Sequence, residues 1–199
     1  MHEKLVHLII VHKGLDHFDH VHPDVATKGQ LSAEVTFPVG GDYFLFADYQ
    51  PQGGTAALGK SQLSAVGNTP PAPQLQPNQS PVVDVDGVRA KVTTNFKAEE
   101  STITFQLMSP DDKPLSDLQP YLGAMGHLVI LSADGGQYVH SHPLEHSKVA
   151  AVGTVAFAAH FTVPGIYKMW GQFQRDSRVF TIPFVIDFGT VKGQTTSHH

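Results

Sequence analysis

The chain contains no cysteine, which excludes disulfides, zinc-thiolate sites and a thiol nucleophile together. This absence leaves the redox compartment open, because cysteine-free chains fold on either side of a membrane. Beyond Met1, methionine occurs only at positions 108, 125 and 169, and that scarcity argues against a soft Cu(I) site. Lys and Arg form no run. They number 13 against 18 acidic residues, for a net charge of -5 and a pI near 6.2. That balance gives no electrostatic footprint for nucleic acid or an anionic membrane. No apolar run approaches the ~20 residues that span a bilayer, so membrane insertion is not expected. Met1-His2-Glu3-Lys4 leads straight into LVHLIIV without the charged-then-apolar pattern of a secretion signal. A serine-hydrolase elbow, a phosphate loop and a dinucleotide fingerprint are also lacking.

What is present is a globular composition, 41% hydrophobic and 16% charged over 199 residues, enough for one large or two small cores. Histidine is the outlier, with 13 residues, as many as Lys and Arg together. His198 and His199 follow Thr-Thr-Ser at the very end, as a purification tag would, and are set aside.

An internal repeat organises the rest. HLIIVHKGLDHFDHVHP (7 to 23) aligns without a gap on HLVILSADGGQYVHSHP (127 to 143), so His7, His20, His22 and Pro23 fall on His127, His140, His142 and Pro143. Further on, GQLSAEVTFPVGGDYFLFADY (29 to 49) aligns on GTVAFAAHFTVPGIYKMWGQF (153 to 173), with four extra residues in the loop of the second copy. Period-two alternation rich in Val, Ile, Phe and Tyr, punctuated by Gly and Pro pairs, predicts strands and turns throughout. The expected fold is all-β, two related immunoglobulin-like sandwich modules. The first module spans 1–67, a proline-rich linker 68–81, the second module 82–190, and a tail 191–199. The second copy has strand-like sequence between the linker and His127 (VVDVDGVRAKVTT and STITFQLMS), whereas six residues precede His7. Either the first module lacks its leading strands or that segment serves both halves.

A two-residue Asp134-Gly135 loop would set His127 across from His142 and Val129 across from His140. The three histidines then share one face, with opposed Cβ atoms about 5 Å apart and diagonal ones roughly 7 Å, close enough for one ion. In the first copy Gly14-Leu15, read as a type II′ turn, gives the same arrangement to His7, His20 and His22. A single strand histidine is ordinarily solvated or bonded to backbone. Three on one face, repeated while His12 and His17 become Ser132 and Gln137, point instead to ligands. His146, in the inserted loop, is a further candidate ligand of the second cluster, and Glu145 and Asp19 are candidate carboxylates to orient an imidazole. His160 reads as surface and Trp170 as core.

All-imidazole sites suit Zn(II), Cu(II), Ni(II) and Fe(II). Three ligands with an open fourth position also suit a catalytic zinc, so a metal-dependent hydrolase or oxidoreductase is the alternative to a binding protein. A third reading is a structural or adhesive sandwich whose histidines merely titrate near pH ~6.5. LQPYLGAMGHLVILS followed by HSHP, and HEKLVHLIIV followed by HVHP, FADYQP and WGQFQR, resemble a group of uncharacterised bacterial exported, heavy-metal-associated proteins. The resemblance covers most of the chain. It implies a periplasmic or secreted β-sandwich that handles metal, copper foremost, and a leading strand segment ahead of HEKLVH. The expected cofactor is a copper or zinc ion and the expected partners are metal ions; a protein partner, including a second copy of the chain, stays open.

Overall fold

The computed structural model describes residues 6–26, 29–51, 53–139, 141–144 and 151–189. It is all-β, and its chain divides into two compact units, Met1–Gln74 and Leu75–His199, each taken by itself below. The division falls inside the proline-rich segment 68–81. Among the described residues no helix is long and apolar enough to cross a membrane.

The first unit is built on β1 (Val6–His12), β2 (Phe18–Val21), β3 (Asp24–Val25), β4 (Leu31–Ser32), β5 (Gly41–Tyr49) and β6 (Ala57–Ala65). One antiparallel sheet runs β2-β1-β5-β6, and β3 pairs with β4 as a separate ribbon. β1 lies between two neighbours and carries the continuous apolar run expected of a strand covered on both faces; Ile9, Ile10 and Val11 are each at most 1% exposed. Edge strand β2 is half-buried along its length.

The second unit comprises β7 (Val82–Val85), β8 (Val88–Asn95), β9 (Ser101–Met108), β10 (Leu118–Gln119), β11 (His127–Ser132), β12 (Tyr138–Val139), β13 (Ser141–Pro143), β14 (Thr154–Ala159), β15 (Gly165–Arg175) and β16 (Arg178–Phe188). One five-stranded sheet runs β10-β15-β11-β12, with β16 on β15, and the other runs β13-β14-β9-β8-β7. Alternate residues of both sheets meet in one core: Val92, Ile103, Phe105, Leu107 and Phe157 come from one, Leu128, Ile130, Met169, Phe173 and Ile182 from the other. This is the sandwich that the alternating pattern predicted. Trp170 is buried as expected, though it lies outside that cluster, paired with Val129 on the opposite face of its sheet.

Several hydrogen bonds and strand registers recur at aligned positions of the two units. Leu15 N donates to His12 O (2.7 Å) and His12 N to His17 O (3.0 Å); at the matching places Gly135 N donates to Ser132 O (2.8 Å) and Ser132 N to Gln137 O (2.9 Å). Tyr43 and Tyr167 each donate a hydroxyl proton to the carbonyl four residues upstream, at Val39 (2.8 Å) and Val163 (2.6 Å). β1 pairs with β5 in the register in which β11 pairs with β15, His7 opposite Asp48 and His127 opposite Gln172. Even the short ribbon matches: Asp24 faces Ser32, and at the equivalent positions Leu144 N donates to Ala156 O (2.9 Å). Among the described residues of the first unit nothing corresponds to β7, β8 and β9, so its single sheet is not closed into a sandwich there.

The turns differ from the two-residue loops predicted for them. Each hairpin closes through four residues, 13–16 and 133–136, and the positive φ falls on Leu15 (57°) and Gly135 (70°), not on Gly14 or Asp134. Gly14-Leu15 is therefore no type II′ turn, a turn that needs φ > 0 at its first central residue. A four-residue loop centred on the same bond pairs the same partners, so the predicted register survives.

Candidate metal centre

β1 and β2 pair Leu8 with Val21, Ile9 with His20 and Val11 with Phe18. Carried one step further, the ladder sets His22 across from His7. Residues opposed across a ladder share a face, so His7, His20, His22 and Phe18 project from one side of the sheet, and Leu8, His12, His17 and Asp19 from the other.

The three imidazoles converge. His7 Nδ1 lies 2.9 Å from His20 Nε2 and 3.3 Å from His22 Nε2, the ring centroids are 4.7–5.1 Å apart, and all three ligand atoms fall within 4.8 Å of one another. Each histidine is half-buried. Protons do not fit this arrangement well. A neutral ring offers one donor and one acceptor nitrogen, and the single lone pair of His7 Nδ1 faces two Nε2 atoms at once. A cation between the rings would take a lone pair from each. Around a tetrahedral ion with bonds of ~2.0–2.1 Å, neighbouring nitrogens sit roughly 3.3–3.4 Å apart, so the cluster already stands close to ligand spacing.

The other histidines of this hairpin do separate work on the opposite face. His12, 3% exposed, donates from Nδ1 to Asp16 Oδ1 (2.5 Å) and packs its ring on Tyr43 at 5.0 Å. His17 donates from Nε2 to Asp19 Oδ2 (2.9 Å). Asp19 therefore does not orient a triad imidazole: the period-two geometry of the strand turns it away from them. Asp42 is held below the usual carboxylate range, chiefly by the Ser64 hydroxyl and then by Lys13, and pins β5 to β6 away from the cluster.

In the second unit β11 and β12 pair Ile130 with Val139 and Leu131 with Tyr138, the predicted register. By residue 141 the chain runs in the other sheet. β13 pairs with β14 there, setting His142 opposite Ala158 and leaving it exposed. His142 is thus not a ladder partner of His127, although Ser141 Oγ still donates to the Leu128 carbonyl. His127 Nε2 donates to the Tyr121 carbonyl (2.9 Å), and the Tyr121 ring meets the imidazole edge-on at 5.5 Å. Burial pushes the Tyr121 hydroxyl above its ordinary range. His140, Glu145 and His146 lie outside the described residues. Met125 packs against the core of the second unit, and His160 is exposed, donating to the Glu99 carbonyl (2.5 Å).

One neighbour of the first cluster went unnoticed in the sequence. Asp48 of β5, half-buried, is the ladder partner of His7 and so shares the face of the triad. It stands 41 positions from His7 in the chain, and only the pairing of β1 with β5 brings them together.

A family profile matches residues 1–60 and 83–191, most of the chain, and the protein belongs to that family, described as a domain of unknown function (DUF8832). The unmatched stretch between them holds the whole proline-rich segment 68–81. No curated protein matches the chain.

Proposed function

We propose that the protein binds transition-metal ions, Cu(II) or Zn(II), and serves as an extracytoplasmic buffer or carrier of them. The observation that carries this reading is the convergence of His7 Nδ1, His20 Nε2 and His22 Nε2 at near-ligand spacing. Imidazole nitrogens suit both ions, and the chain has no cysteine thiolate to compete for them.

His127, His140 and His142 form the second site in this reading, and His146 is a further candidate ligand of it. Support for it comes from the Tyr121 carbonyl. By accepting the proton on His127 Nε2 it makes Nδ1 the lone-pair nitrogen of the neutral ring, the same nitrogen through which His7 faces its cluster. Descent of both units from one immunoglobulin-like module accounts for their shared registers and tyrosine hydrogen bonds. The resemblance to exported metal-handling proteins is what supports a periplasmic or secreted setting.

Calorimetric titration of the full chain with Cu(II) and Zn(II) tests the reading. Two ions per chain are expected, with the tighter binding to Cu(II) that imidazole sites ordinarily give. A His140→Ala/His142→Ala variant should retain one ion. Loss of neither ion in that variant would remove the second site, and no binding by the parent protein would sink the whole proposal.

A further inference from the structure

We propose that Asp48 is the fourth, anionic ligand of the first site, that it closes the coordination shell, and that it biases the site toward a divalent ion. This inference rests on the metal-binding reading above. The register places Asp48 directly across the ladder from His7, and opposed Cβ atoms in a sheet are about 5 Å apart. His22 flanks His7 on the other neighbouring strand, so His7 stands between a carboxylate and an imidazole within one row across the sheet. Toward the turn, the next row on this face holds His20, Ile9 and Phe46, so it offers an imidazole but no carboxylate. Asp19, the carboxylate of β2, projects from the opposite face of the sheet. Among the described residues, Asp48 is the carboxylate that the ladder places next to His7 on the triad's face; its oxygens are not among the atoms that converge within 4.8 Å, so it joins the shell by turning toward the ion.

The second unit sharpens the point. Gln172 occupies the equivalent position opposite His127, is 6% exposed, and donates from Nε2 to Thr181 Oγ1 (3.5 Å). The histidines are repeated and the carboxylate is not. Three neutral imidazoles leave a divalent ion with its full charge in a half-buried place, and a carboxylate offsets half of it. An oxygen ligand favours the harder divalent ions over soft monovalent ones. Four protein ligands also make a closed site, the arrangement of ions held for structure or carriage, whereas catalytic zinc keeps a position open. The first site is then a divalent-ion holder, and the second, with an amide in place of the carboxylate, is the less selective of the two.

The test uses the full chain carrying His140→Ala/His142→Ala, so that only the first site reports, titrated with Zn(II) and with Ag(I) as a redox-inert soft monovalent ion. Asp48→Asn, which keeps the shape and removes the charge, should weaken Zn(II) about tenfold or more, by analogy with the 10–100-fold that even outer groups of metal sites contribute. Ag(I) affinity should change far less, and Asp48→Glu should recover part of the Zn(II) affinity. Unchanged melting temperature of the metal-free Asp48→Asn protein separates this effect from unfolding. Equal weakening of both ions, or unchanged Zn(II) affinity while His20→Ala abolishes it, overturns the role of Asp48 and leaves the triad standing. Zn(II) binding that survives His20→Ala overturns the triad, and the Asp48 proposal with it.

Discussion

Replacing His20 and His22 together by alanine is expected to abolish ion binding at the first hairpin while leaving its strands in place. Both residues sit on or just past edge strand β2 and are only half-buried, so their removal opens no cavity in a packed core. The hairpin is held by other means. Ile9 and Val11 are buried to within 1%, β1 is clamped against β5 along its whole length, and the turn is closed by the bonds of Leu15 N to His12 O and His12 N to His17 O. Surface substitutions of this sort usually shift stability by about 0.5 kcal/mol or less. Binding, by contrast, loses two of the converging nitrogens. Outer-sphere partners alone are worth about 10–100-fold in metal affinity, so losing two inner ligands should exceed that range. Equilibrium dialysis against Zn(II), beside circular dichroism and a thermal melt of the metal-free protein, reads both halves of the prediction. Retained affinity would mean the ion sits elsewhere.

The second large effect lies in the core of the second unit. Phe105 is fully buried, meeting Phe173 at 5.2 Å and the Phe157 ring at right angles at 6.0 Å. Its ring also rests on bare backbone: a Cβ added at Gly171 would come within 2.8 Å of Phe105 Cζ. Phe105→Ala therefore empties a space bounded by both sheets of the sandwich. Truncations of this kind cost about 3–5 kcal/mol, a large share of the ~5–15 kcal/mol by which domains are stable. For a unit of this size that corresponds to a fall in melting temperature of roughly 10–25 °C. Gly171→Val should also destabilise, from the opposite cause, by driving two methyl groups into the same ring. Differential scanning calorimetry checks both; a fall of only a few degrees in Phe105→Ala would mean that the two sheets close over the cavity.

Much of this architecture was legible in the sequence, and the reasons are physical. The hairpin register could be read because turn residues at 14–15 and 134–135 leave few ways to pair apolar stretches of period two. The turn type could not. Two-residue and four-residue loops about one centre give identical partners, and only backbone torsions such as φ 57° at Leu15 distinguish them. The change of sheet after Val139 was hidden for a related reason: alternation reports which face of a strand is buried but not which neighbour bonds to it. His142 consequently pairs along β14 and not along β11. Asp48 was missed because its closeness to His7 depends on a pairing between strands far apart in the chain. The repeat alignment did contain the signal, an Asp in one copy against a Gln in the other, but without the ladder nothing tied that position to the histidines.

The similarity of the two units also bears on how the first cluster is supported. Tyr43 packs against the rings of His12 and Phe37, at 5.0 and 4.8 Å, and donates to the Val39 carbonyl. Tyr167 does the equivalent with Phe161 at 5.1 Å and the Val163 carbonyl. Each tyrosine fixes the start of the strand that pairs with the first strand of its hairpin. β5, anchored there opposite His12, carries the ladder partners of β1 along to Asp48 opposite His7.

The most direct measurement is anomalous diffraction from crystals of the full chain soaked in Zn(II), with data collected on both sides of the zinc absorption edge. The account predicts a peak at about 2.0–2.1 Å from His7 Nδ1, His20 Nε2 and His22 Nε2. A zinc peak bound elsewhere, with those three nitrogens still facing one another and no ion between them, would contradict it.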